Sequence, residues 1–170
     1  MDKKKLVYWL NILGLVLSVV SVFMLFLPSM QVTISETGKE VGLYNGFQTM
    51  FGYVEKTYGG VDTTVLGFSV MNFISGMLIL LGVIVMFTNV FMPTLGGNKG
   101  KFVRSIVAIV LLIVGGILAM FSVAFVVTVG DKWIIFTKTL REGPILQGVI
   151  AILAGASVVM GMLIERSKAE

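Results

Sequence analysis

The 170-residue chain contains no cysteine and no histidine. Their absence excludes disulfides, thiolate and imidazole metal centres, axial haem ligation by these groups, and catalysis by a Ser-His or Cys-His pair. Charge is scarce too: Asp, Glu, Lys and Arg make up 13% of the residues, against roughly 25% in an ordinary soluble domain. No charged residue falls in stretches 6–35, 63–98, 105–130 or 143–164, so the acid or base that a coupled transporter or proton relay buries in the membrane is missing. The glycine-rich turn Gly96, Gly97, Asn98, Lys99, Gly100 lacks the Gly-Lys-Ser/Thr ending of a phosphate cradle. The acids Glu36, Glu40, Glu55 and Asp62 lack the dense alternation of a calcium loop. The chain is therefore expected to be no enzyme and to carry no metal or cofactor.

What is present is apolar. Hydrophobic residues make up 56% of the chain and the mean hydropathy is +0.99. Each charge-free stretch is long enough for the roughly 20 apolar residues of a bilayer-spanning helix. The expected class is an all-α membrane protein, a four-transmembrane-helix bundle with helices at about 6–28, 65–92, 103–129 and 144–164. An external cap at 29–64 and 130–143 completes a single membrane domain over residues 1–170, which leaves no room for a soluble catalytic or nucleic-acid-binding domain. The run Leu6–Leu27, 22 residues, is longer than the roughly 7–15 residues of a signal-peptide core and is followed by no small-x-small cleavage pattern, so it reads as a retained helix.

Orientation follows from the basic residues. The head (Lys3, Lys4, Lys5), the connection after the second span (Lys99, Lys101, Arg104) and the tail (Arg166, Lys168) hold eight; the other two connections hold five, accompanied by six acids. Since short Lys- and Arg-rich segments resist translocation, both termini are expected on the cytoplasmic side of a plasma membrane, the bacterial cytoplasmic membrane by composition. The net charge of +4 is then explained by orientation and anionic-lipid contact rather than by nucleic acid.

Each span carries small residues at helical spacing: Gly14 and Ser18 in the first, Gly76 and Gly82 in the second, Gly115 and Ala119 in the third, Gly148 and Gly155 in the fourth. Such stripes let helix backbones approach where lipid gives no hydrophobic drive for association. They read as packing inside one bundle, with contact between copies through Gly115 or Gly155 as the alternative. Asn72 and Ser75, one turn apart in the second span, are candidates for a polar pocket or a pore lining.

Outside the spans, Gln31–Ser35 alternate polar and apolar, Glu36–Lys39 supply turn chemistry, and Glu40–Tyr44 can return as a second strand. A hairpin alone is marginal in water, and the strand formers of Lys132–Thr139 are expected to complete a three-stranded sheet. Asn45 can cap a short amphipathic helix with Phe47, Met50, Phe51 and Val54 on one face. Tyr44, Phe47, Phe51, Tyr53 and Tyr58 crowd one window and Trp133 lies in the second loop. Exposed aromatics anchor recognition surfaces, which makes these six the candidate partner-binding residues; the alternative is that Phe47 and Phe51 insert into the outer leaflet or seal the top of the bundle.

The order of cytoplasmic ends, a large first loop opening in β-structure, a tiny inner loop and a smaller second loop resembles the claudin and peripheral-myelin-protein tetraspans. Gly42, Leu43, Tyr44 is similar to the Gly-Leu-Trp of the claudin first loop, with Tyr for Trp and without the two cysteines that lie beyond it. The chain also resembles the small, uncharacterised four-helix membrane proteins of Gram-positive bacteria and mycoplasmas, whose Tyr-x-Gly-Phe patch stands here as Tyr44, Asn45, Gly46, Phe47. Small multidrug exporters are similar in topology, but their embedded Glu is absent. The leading expectation is a non-enzymatic membrane scaffold or accessory subunit that binds a membrane-protein partner or a second copy through its cap and helix faces, in contact with membrane lipids. The alternatives are a small oligomeric channel or facilitator and, third, an immunity-type membrane protein.

Overall fold

The computed structural model describes residues 2–34, 38, 40–56, 62–127 and 136–166. The chain is mostly helical. Four helices, α1 (Lys3–Phe23), α3 (Val70–Phe91), α4 (Gly97–Met120) and α5 (Glu142–Arg166), are long and apolar enough to cross a membrane, as expected of a multi-pass membrane protein. The principal contacts run α1–α3, α3–α4, α4–α5 and α5–α1, a closed ring of antiparallel neighbours. Large apolar side chains such as Val16, Ile84, Phe87, Val110, Leu153 and Met160 cover the outside. The interior is built from smaller ones: Ala108, Ala119, Ala151, Ala154 and Val158 around Ile79, Met86 and Leu112. A helix pairs the backbone groups of an apolar run within the run itself, which is what a span of a bilayer requires.

The helices differ from the sequence expectation at their ends: α1 stops at Phe23 instead of 28, where a 3₁₀ turn (Met24–Phe26) leads into strand, and α5 runs two residues further at each end. Asp2 accepts from the Lys4 amide and starts α1 at Lys3. Gly96, with a φ of 74°, turns the chain so that Gly97–Phe102 already belong to α4, which stops at Met120 before a short 3₁₀ turn at Ser122–Phe125. The second span begins at Val70 instead of 65 because Asp62–Leu66 forms a strand. Ser69 caps it, accepting from the Asn72 amide.

The cap follows the first helix. Strands β1 (Pro28–Ile34), β2 (Glu40–Asn45) and β5 (Phe136–Leu140) form an antiparallel sheet in the order β2-β1-β5. The three-stranded sheet drawn from the two loops is thus present, with its third strand at 136–140; residues 132–135 of the expected strand lie outside the described residues. Helix α2 (Gly46–Phe51) starts where Asn45 predicted: Asn45 and Gln48 form a reciprocal capping box. It ends sooner than the apolar spacing implied. Gly52, with a φ of 88°, breaks the helix, and Tyr53–Lys56 becomes β3, paired with β4 (Asp62–Leu66). Val54 is therefore a strand residue and not the last apolar position of an amphipathic helix.

Candidate functional site

The inner face of the sheet carries Met30, Val32 and Tyr44, which pack with Leu66 and Val126 above the bundle. Tyr44, only 5% exposed, is therefore a core residue of the cap and not a contact residue. The triplet Gly42, Leu43, Tyr44 has a packing explanation: a Cβ on Gly42 would fall 2.7 Å from the Tyr44 hydroxyl, so glycine makes room for the ring. Leu43, between them in sequence, points the other way and is half exposed. It stands opposite Gln31 on the outer face, with Thr139 on the far side of Gln31.

The other aromatic candidates divide. The Phe47 ring lies 5.0 Å from Phe26 and is half-buried. Phe51 is exposed, but it clusters with Phe68 and Phe73 at the start of α3. Tyr53 is exposed and meets Tyr44 edge-on at 5.7 Å, joining the second hairpin to the sheet. Tyr58 and Trp133 lie outside the described residues.

Asn72 and Ser75 are both buried within one chain and both bonded to main chain. Asn72 Nδ2 donates to the Thr49 and Ser122 carbonyls, at 3.2 and 3.1 Å; Ser75 Oγ donates to the Gly115 carbonyl at 2.9 Å. Ser69 Oγ donates to the Phe125 carbonyl and the Ser69 amide to the Met50 carbonyl. The Asn72 and Ser69 bonds tie α2 and the 3₁₀ turn to the top of α3, and the Ser75 bond joins α3 to α4. Asn72 Oδ1, Ser122 Oγ and Gln147 Nε2 are buried without a partner among the described residues, and all three residues line a cavity of about 10 Å³. That is the space of one water molecule. Asn72 was legible as a polar residue in an apolar run; Thr49 and Ser122 were not, because it is their main-chain carbonyls that accept from Asn72, and a carbonyl carries no residue-type signal.

No known protein family, characterised protein or solved structure matches the chain. Function has to be read from the geometry.

The small residues all lie at contacts within the chain. Gly14 faces Ser157 and Met86, Gly76 faces Met50, Gly82 faces Leu112, Gly115 faces Ile79, and Gly155 faces Ile113. Ser18 and Ala119 are buried. The tightest approach to a backbone atom joins Gly148 to Gly116, a residue the small-residue spacing did not mark: a Cβ on Gly148 would fall 2.5 Å from the Gly116 carbonyl oxygen. These faces are occupied by neighbouring elements of the same chain, which leaves them unavailable to a second copy.

Proposed function

We propose that this chain is a non-enzymatic membrane scaffold or accessory subunit that binds a partner protein through the outer face of its cap. The observation that carries this reading is the role of Asn72 and Ser75. The channel alternative needs these two groups along a path, yet both are buried inside a single chain and bonded to its carbonyls: Asn72 holds the cap to the bundle, and Ser75 joins α3 to α4. A cap fixed in this way is a platform. Its outer face offers Leu43 among Gln31, Thr33 and Thr139, with Tyr53 at the side, a mixed apolar and hydrogen-bonding surface suited to a protein contact.

Crosslinking in native membranes followed by recovery of the full chain tests the proposal. A specific partner should be recovered with the wild type and lost with Leu43→Ser/Thr139→Ala, both at exposed outer-face positions, while the melting temperature in detergent stays near the parent value. Recovery of a lone monomer from the crosslinked wild type overturns it, as does partner recovery unchanged in the stable double variant. Ion or solute flux in reconstituted vesicles that Asn72→Leu abolishes would favour the channel instead.

A further inference from the structure

At the end of the bundle opposite the cap, a cavity of about 710 Å³ opens between the first turns of α1 and α4 and the last turns of α3 and α5. We propose that this cavity binds a phosphate ester, with the phosphate held by Lys3, Lys4 and Arg166 at its mouth and the apolar remainder of the ligand against its inner wall.

The lining is strongly unbalanced in charge. Four cations, Lys3, Lys4, Lys101 and Arg166, face it with one carboxylate, Glu165, and Glu165 is ion-paired to Lys101. The other three cations have no carboxylate partner among the described residues. A cluster of Lys and Arg recognises an anion with several oxygens, and the guanidinium fork fits phosphate geometry. Arg166 is already positioned, its guanidinium 4.9 Å above the Phe102 ring, so less side-chain freedom is lost when an anion arrives.

The deeper surface is held rigid. Arg104 Nε donates to Asn89 Oδ1 at 3.0 Å, Asn89 Nδ2 reaches Ser105 Oγ at 3.4 Å, and Arg104 also bonds the Leu95 and Met92 carbonyls. This network fixes the α3–α4 turn and both amide ends of Asn89 on the cavity wall. Asn11 Nδ2 bonds the Val7 carbonyl at 3.0 Å on the facing helix. Between these polar groups lie Val7, Val90, Phe102 and Met162. The volume falls in the roughly 300–1,000 Å³ range of small-molecule sites and exceeds what an inorganic ion needs. Phosphate chemistry at the mouth and an apolar wall behind it describe an amphiphile, as in the basic pockets between membrane helices that take anionic headgroups.

Two sources share this chemistry, an anionic phospholipid and a soluble phosphate compound, and the test separates them. The full chain is purified in neutral detergent and titrated with phosphatidylglycerol, with phosphatidylcholine, and with inorganic phosphate; melting temperature and bound mass by native mass spectrometry are read. Phosphatidylglycerol should be retained and raise the melting temperature where phosphatidylcholine does neither. Lys4→Gln/Arg166→Gln should weaken this response about tenfold or more. Lys5→Gln/Lys99→Gln removes the same charge from the same end, but from exposed positions outside the cavity, and should respond like the parent. If inorganic phosphate alone reproduces the shift and the first pair abolishes it, the phosphate site stands with a soluble ligand. Equal losses in the two pairs would overturn the proposal in favour of diffuse surface attraction. No response to any of the three compounds overturns it as well. Should the first pair melt lower without any lipid, Lys4→Gln alone against Lys5→Gln carries the same comparison.

Discussion

At Gly148 one added carbon decides the distance between two helices. Gly148→Ala places a methyl against the Gly116 carbonyl and is expected to cost about 1–3 kcal/mol, read as a lower melting temperature in detergent. Gly161→Ala is the counter-case. Its Cβ meets nothing nearer than 3.9 Å, so removal of a helix-interior glycine should leave stability unchanged or raise it by up to about 1 kcal/mol. Asn72→Leu removes both bonds to the Thr49 and Ser122 carbonyls; the expected loss is about 1–2 kcal/mol, with faster proteolysis of the cap as the second readout. Lys138 presents the opposite case, a charge whose removal should help. It pairs across from buried Val32 and shares the inner face of the sheet, where burial lowers its pKa from the usual 10.5. Because the folded pKa lies below the unfolded one, the unfolded chain binds more protons between the two values, and stability rises with pH across that window. Lys138→Met should therefore raise the melting temperature at neutral pH and flatten its rise toward pH 10.

Among the elements, the helices were the most legible because an apolar run of roughly 20 residues or more can satisfy its backbone within itself only as a helix. The apolar spacing also marked Gly14, Gly82, Gly115 and Gly155 as contact positions. It did not separate Gly116 from its neighbours, since which of two adjacent glycines meets the next helix depends on the rotation of α4 about its axis. The Asn45 cap was readable from sequence and the β1–β2 hairpin from alternation. The β3–β4 hairpin was not. Tyr53–Lys56 continues the helical spacing of Phe47, Met50 and Phe51, and only the φ of 88° at Gly52 turns it into a strand. Gly52→Ala tests this reading directly: a side chain there is strained and its Cβ would meet the Leu66 carbonyl oxygen at 2.7 Å. The variant is expected to lose about 1–3 kcal/mol, measured by thermal unfolding, with the loss confined to the cap when hydrogen exchange is followed site by site. The inner cavity was hidden for a different reason. Its cations were visible as three separate groups in the head, inner turn and tail, and orientation alone accounts for such groups; their convergence on one space exists only once α1, α4 and α5 are packed.

For the molecule as a whole, the two ends of the ring are chemically unlike. One end bears Lys3–Lys5, Arg166 and the α3–α4 turn with Lys99, Lys101 and Arg104; the other bears the sheet. The basic end should face the cytoplasm. Since the parent chain has no cysteine, Lys99→Cys and Thr139→Cys give a clean test with an impermeant thiol reagent on intact cells: position 139 should label and position 99 should not, and the reverse pattern would invert the orientation. The sheet adds a consequence in time. Its central strand, β1, is made just after the first helix, whereas its partner β5 follows the third, so Met30 waits roughly a hundred residues of synthesis for Leu140. Until then one edge of β1 has its amides and carbonyls unmatched. A nascent chain arrested between α4 and β5 would display that open edge to whatever strand is near, and the final helix, by drawing β5 into place, closes it.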